Sequence, residues 1–187
     1  MDSIKNILSW HESSNNVDEK ELQLKMENYL SRYFHIESEV KSTDWKGRID
    51  LIVIHKTDIS RKYPIGIEIK VNAKKTGKDI AAWLRQANGY ANMNFIGYGK
   101  CLIVTCPQIS GLYMREGELM HQHENDEGCP ADHNVSTFVG HFGIGEVQKY
   151  VRNNKRYLRI VFKGKILWEQ HNNIFRYHNY DALCQEK

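Results

Sequence analysis

Three charged residues stand where the surrounding sequence asks for packing. In GRIDLIVIHKTDISRKYPIGIEIK, residues 47–70, Asp50 falls in one run rich in Ile, Val and Leu, and Glu68 and Lys70 fall in a second. A carboxylate taken out of water costs several kcal/mol unless a partner neutralises it. Side chains alternate faces along a strand, so Glu68 and Lys70 project together while Ile67 and Ile69 face the opposite, packed side. If the two runs pair as a hairpin, Asp50 lies across from that pair. Two carboxylates and an ammonium gathered at one end of a sheet make a hard-oxygen site suited to Mg²⁺ or Mn²⁺, with the Ile69 carbonyl as a further ligand. An ion held there would polarise a phosphodiester and lower the pKa of a water beside it. Lys70 would orient that water or stabilise negative charge building on the phosphate.

The elements that must position these residues are legible on either side. Residues 17–34 carry Leu22, Met26, Leu30 and Tyr33 at helical spacing. Asp18 suits the N-cap, and Glu21 three residues on completes a capping-box pattern. β-branched residues and alternation predict strands over about 48–55 and 65–71, paired as an antiparallel hairpin around KTDISRKYP. A second helix is expected over 76–93, with Ile80, Trp83, Leu84, Ala87 and Tyr90 outlining one face. The apolar run KCLIVTC, 100–106, has the character of a fully buried strand, and Pro107 ends it. Further on, RYLRIVFKGKILWEQ, 156–170, alternates on both sides of a tight KGK turn and predicts another hairpin. Residues 111–146 show no clear period, and 171–187 carry no assignable element.

Taken in order, a helix, GRID, a 17-residue gap, EIK and a helix carrying QANGY resemble the PD-(D/E)xK nuclease superfamily, the restriction endonuclease-like fold. The resemblance covers residues 17–106, just under half the chain. Asp50 matches the first acid of that family, and Glu68-Ile69-Lys70 matches its E-x-K element. Gln86 and Tyr90 match the Q-x-x-x-Y signature of some branches, and at i, i+4 they share a helix face. Ile49 stands where the family name has proline, a position that varies widely. The resemblance implies an α/β fold with a mixed central β-sheet flanked by helices, extended here by a C-terminal β-hairpin. On that basis 1–110 is the nuclease core and 111–187 an extension packed on the same domain. It implies a Mg²⁺-dependent deoxyribonuclease, an endonuclease, with Asp50, Glu68, Lys70 and Gln86 catalytic. The family also commonly completes its metal site with a first-helix glutamate. Glu19, in line with the inward stripe, is favoured over Glu21, whose capping role already explains it. A ribonuclease, or a nucleic-acid-binding or assembly protein on a nuclease scaffold, are the alternative readings.

Net charge is only +3, but its distribution is uneven. Lys149, Arg152, Lys155, Arg156, Arg159, Lys163 and Lys165 form a stretch without an acid, and Lys70, Lys74, Lys75 and Lys78 form another. Basic segments on a near-neutral chain suit a polyanion, although a solvated hairpin explains the charges equally well. Lys74, Lys75, Lys78, Arg152, Lys155, Arg156 and Tyr90 are the candidate nucleic-acid contacts, holding phosphates without reading bases.

Composition narrows the class. The 187 residues, 41% hydrophobic and 26% charged, suit one globular domain. There is no membrane-length apolar run and no signal-peptide pattern at the N-terminus. With four irregularly spaced cysteines, these features suggest a cytoplasmic protein. A homodimer is compatible with the sequence but not required by it. His121, His123, Cys129, His133 and His141 could supply zinc ligands, but their spacing matches no standard finger and polar surface explains them as well. GHFGIGEV lacks the rest of a phosphate-binding loop, no G-x-S-x-G is present, and Cys101 and Cys106 suit inert core thiols.

Overall fold

The computed structural model describes residues 18–71, 77–106, 143–153 and 155–185. Within them the chain runs α1 (Glu19–Leu30), β1 (Phe34–Lys41), β2 (Arg48–His55), β3 (Ile65–Ile69), α2 (Gly77–Ala91), β4 (Leu102–Cys106), β5 (Ile144–Arg152), β6 (Lys155–Phe162), β7 (Lys165–Glu169), β8 (Ile174–Phe175) and α3 (Tyr177–Gln185). The strands form one mixed eight-stranded sheet in the order β1 to β8. β3, β4 and β5 are mutually parallel, and the other neighbours are antiparallel. This is the α/β architecture expected from the sequence.

Alternation along the strands builds a core on each face. Ile65, Ile67 and Ile69 of β3 pack with Leu102, Val104, Leu22, Met26, Leu30, Tyr180 and Leu183, so α1 and α3 cover one face. Ile49, Ile52 and Ile103 pack with Trp83, Ala87 and Tyr90, so α2 covers the other. Truncating a fully buried side chain such as Met26 would cost about 2–5 kcal/mol. Gly66 is where the second core tightens. A Cβ there would lie 2.5 Å from Ile49 Cδ1 and 2.7 Å from Ile103 Cδ1, so a larger residue would make the ends of the flanking isoleucines shift.

Asp18 caps α1 as expected, accepting a hydrogen bond from the Lys20 N–H at 3.2 Å. Glu21 pairs with Lys25 at 2.6 Å instead of closing a capping box. The helix stops at Leu30, four residues short of the expected end, because Phe34 opens β1. β1 lies at a sheet edge, and its inward Phe34, Ile36 and Val40 are separated by His, Glu and Ser, which mask the alternation. β5 escaped notice for another reason: Glu146 and Gln148 are buried within it, so its burial does not follow hydrophobicity. The hairpin expected over 156–170 is present as β6 and β7, and β5 joins it to the same sheet. No described helix is long and apolar enough to cross a membrane.

Candidate active site

β2 and β3 pair at Leu51 with Ile67, Ile52 with Gly66 and Val53 with Ile65. Continued by one residue, that register sets Asp50 opposite Glu68, but the ladder has already ended. Asp50 fills the gap itself: its Oδ2 accepts the backbone N–H of Ile69 at 2.6 Å. The strand also changes face here, since Leu51 and Val53 pack in one core and Ile49, of the same parity, in the other. Across from Asp50, Glu39 has φ +59°. This left-handed conformation is rare for non-glycine residues and coincides with the inversion of both strands.

Glu68 is fully buried. Its Oε1 lies 2.8 Å from Lys70 Nζ, and its Oε2 receives no hydrogen bond among the described residues. Lys70 Nζ also meets Glu19 Oε1 at 3.0 Å, so the first turn of α1 reaches the end of β3. Gln23, one turn later, donates to Glu39 and to the Asp50 carbonyl at 3.1 and 3.2 Å. On α2, Gln86 Nε2 donates to the Tyr90 hydroxyl at 2.9 Å, which donates to the Arg48 carbonyl at 2.8 Å. Glu19, Asp50, Glu68, Lys70, Gln86 and Tyr90 line one cleft of about 430 Å³.

The electrostatics follow from burial. Glu68 is pushed up to about 7, first by desolvation and then by Asp50, against the pull of Lys70. Desolvation also raises Asp50, opposed by the Ile69 N–H and Lys70. Lys70 is penalised by burial too, but its contacts with Glu68 and Glu19 outweigh the penalty and its pKa rises, keeping it an ammonium. Two neighbouring buried acids whose burial opposes ionisation despite the Ile69 N–H and Lys70 are what a divalent cation would relieve, and their oxygens are the donor type Mg²⁺ and Mn²⁺ take. Among the described residues no three His, Cys, Asp or Glu side chains form a ready-made ligand set, and Lys70 Nζ contacts both Glu19 and Glu68.

A family model described as PD-(D/E)XK nuclease superfamily matches residues 4–169. The chain belongs to that superfamily. Searches of curated proteins and of solved structures returned no match. For this PD-(D/E)XK chain, the family match reaches well past the 17–106 span on which the sequence resemblance rested, and the sheet is continuous through β4 and β5.

The remaining sequence candidates fall in different places. Glu21 faces Lys25 on the exposed side of α1. Lys74 and Lys75 lie outside the described residues, as do His121, His123, Cys129, His133 and His141, while Lys78 is on α2. Arg152, Lys155 and Arg156 are exposed at the β5–β6 turn, where Arg152 pairs across from Lys155. β5 runs six residues beyond its last pairing with β4 at Glu146, roughly 20 Å of strand, and His171 packs there against Tyr150, Tyr157 and Arg152. Glu68, Thr105 and Glu146 are neighbours across β3, β4 and β5. By alternation, Tyr150 and Arg152 continue that face. Lys41, Trp45, Lys46, Gly47 and Arg48 also line the cleft, and the sequence reading passed over them. The available signal was Trp45 followed by Lys46 and Gly47, directly ahead of the Asp50 strand in STDWKGR.

Proposed function

We propose that this chain is a Mg²⁺-dependent nuclease hydrolysing phosphodiester bonds in DNA as an endonuclease. The observation that carries the reading is Glu68, a fully buried carboxylate 2.8 Å from Lys70 Nζ, lining one cleft with Asp50 and Lys70. Asp50 and Glu68, with the Ile69 carbonyl and Glu19, are the residues that would hold the ion. When bound, the ion supplies Lewis-acid stabilisation of phosphoryl charge and a more acidic water. The Ile69 N–H fixes one Asp50 oxygen, which orients the other. Lys70, kept protonated by its two acidic neighbours, serves as a charge stabiliser and water-orienting donor rather than a general base. Gln86 and Tyr90, in the role of the Q-x-x-x-Y branch, hold the Arg48 backbone against α2 and so set one cleft wall.

The basic hairpin supports a nucleic-acid substrate. Arg152, Lys155 and Arg156 are exposed at the β5–β6 turn, suited to phosphates of a strand leaving the cleft. The nuclease core in this reading is the described part of 1–110, with β5 to β8 and α3 continuing the same sheet and core. The choice of DNA over RNA follows the family resemblance.

The test is a cleavage panel of labelled single-stranded, duplex, branched and closed-circular DNA, and RNA, with Mg²⁺ or Mn²⁺. Cutting of circular DNA that is lost in Lys70→Ala, with the fold intact by circular dichroism, is the expected result. Binding without cleavage by the wild-type protein would favour a nucleic-acid-binding scaffold, and cleavage of RNA alone a ribonuclease.

A further inference from the structure

Trp45 departs from the burial of its described counterparts. Trp83 and Trp168 are 4% and 0% exposed, whereas Trp45 is 69% exposed, yet it lines the cleft holding Asp50, Glu68 and Lys70. An exposed indole at a turn usually needs no explanation; one at the wall of a catalytic cleft does.

The turn that carries it is built to hold it. Ser42 N–H donates to the Gly47 carbonyl at 2.8 Å, Thr43 N–H to the Asn94 carbonyl at 2.8 Å, and Trp45 N–H to the Ser42 carbonyl at 3.1 Å. The Ser42 hydroxyl accepts from Gly47 N–H at 2.9 Å and donates to Asp44 Oδ1 at 2.7 Å. At Gly47 a Cβ would lie 2.6 Å from Met93 Sδ and 3.0 Å from Tyr90 Cε1, so the loop is seated directly on α2. Trp45 itself has φ +61°, an unfavourable conformation for a non-glycine residue that this bonding maintains. Lys41 Nζ sits 4.6 Å from the ring centroid and covers one face, leaving the opposite face for another planar group.

We infer that Trp45 stacks on a nucleobase adjacent to the phosphate held by the acidic site. A base within a duplex already has a neighbour on each face. The site therefore takes nucleic acid with at least one unstacked nucleotide at the cleft: a single strand, a flap or a frayed end. Lys41, beside the indole, meets the phosphate of that nucleotide. The inference uses the nuclease reading only in taking this cleft as the catalytic one; stacking is read by binding alone.

The experiment uses the full chain in EDTA, so that binding is measured without cleavage. The probes are a single-stranded oligonucleotide carrying 2-aminopurine, its blunt duplex, and a duplex with a single-stranded flap. Binding of the single strand should quench 2-aminopurine. Trp45→Leu should weaken binding of single strand and flap by about tenfold, with the blunt duplex within about twofold. Trp45→Phe, which keeps an aromatic face, should recover most of the loss, and both variants should melt as the wild type does. Equal weakening of all three probes, no weakening, or no recovery by phenylalanine overturns the inference. A wild-type protein that cleaves in Mg²⁺ while Trp45→Leu binds normally sinks the stacking and leaves the nuclease reading intact. Selective loss of single-strand binding in a protein that cleaves nothing does the reverse.

Discussion

The carboxylate of Asp50 accepts the backbone N–H of Ile69 at 2.6 Å, taking the place of a strand where the β2–β3 ladder ends. One side chain therefore closes the sheet and orients the site, and the two roles separate by substitution. Asp50→Ala leaves a buried N–H unpaired and should cost about 1–3 kcal/mol of stability. Asp50→Asn keeps an acceptor and should cost less. Both should lose cleavage by at least about a hundredfold. Urea unfolding together with a single-turnover assay checks this, and an Asp50→Asn variant that cleaves normally would remove Asp50 from the site.

Glu68 gives the metal-free protein a pH dependence of defined sign. Its ordinary value is 4.5 and in the fold it rises to about 7, chiefly by burial. Between these values the folded state keeps a proton that the unfolded state has released, so stability falls as pH rises through that window and levels off above it. The loss is on the order of 3 kcal/mol. Asp50, raised as well, contributes in the same direction. Glu68→Gln should flatten the curve, which unfolding at several pH values from 5 to 8 would reveal; an unchanged slope would place the titration elsewhere.

A divalent ion should oppose that penalty. At pH 7.5, Mg²⁺ or Mn²⁺ should raise the thermal midpoint, by the equivalent of about 2.7 kcal/mol at a hundredfold excess over Kd. Asp50→Asn and Glu68→Gln should abolish the increase, whereas Glu21→Gln, on the exposed side of α1, should preserve it. Differential scanning fluorimetry with and without the ion is sufficient. An increase that persists in both site variants would mean that the ion binds elsewhere.

The hairpin makes a prediction about salt. Replacing Arg152, Lys155 and Arg156 together with alanine should weaken binding by a similar factor for unrelated sequences. It should also reduce the slope of log K against log salt by about 1 per residue. Fluorescence anisotropy across a salt series measures both, and an unaltered slope would show that the hairpin does not touch phosphates.

How much of this was legible in one dimension differs by element. α1, the β2–β3 hairpin, α2, β4 and the β6–β7 hairpin follow from periodicity, because their burial matches their hydrophobicity. β1 was hidden by the polar residues that an edge strand tolerates. β5 was hidden by Glu146 and Gln148, buried because hydrogen bonding replaces water: Gln148 Nε2 donates to Glu146 at 3.1 Å and Arg159 Nε donates to Gln148 at 2.9 Å. A pattern of apolar positions cannot show a strand whose core-facing residues are polar.

For the site the division is sharper. By itself the sequence determined that Asp50, Glu68 and Lys70 belong together, because charges embedded in apolar strands must find each other or a cation. The tertiary structure decided which helix acid reaches them. Glu19 meets Lys70 while Glu21 turns to Lys25, a distinction set by how α1 is docked and rotated on the sheet. It also decided that the β1–β2 turn, far from the E-x-K stretch in sequence, brings Trp45 to the cleft. That proximity is created by the backbone bonds of the turn and its close seating on α2; the STDWKGR stretch hints at an exposed Trp but not at where the turn is seated.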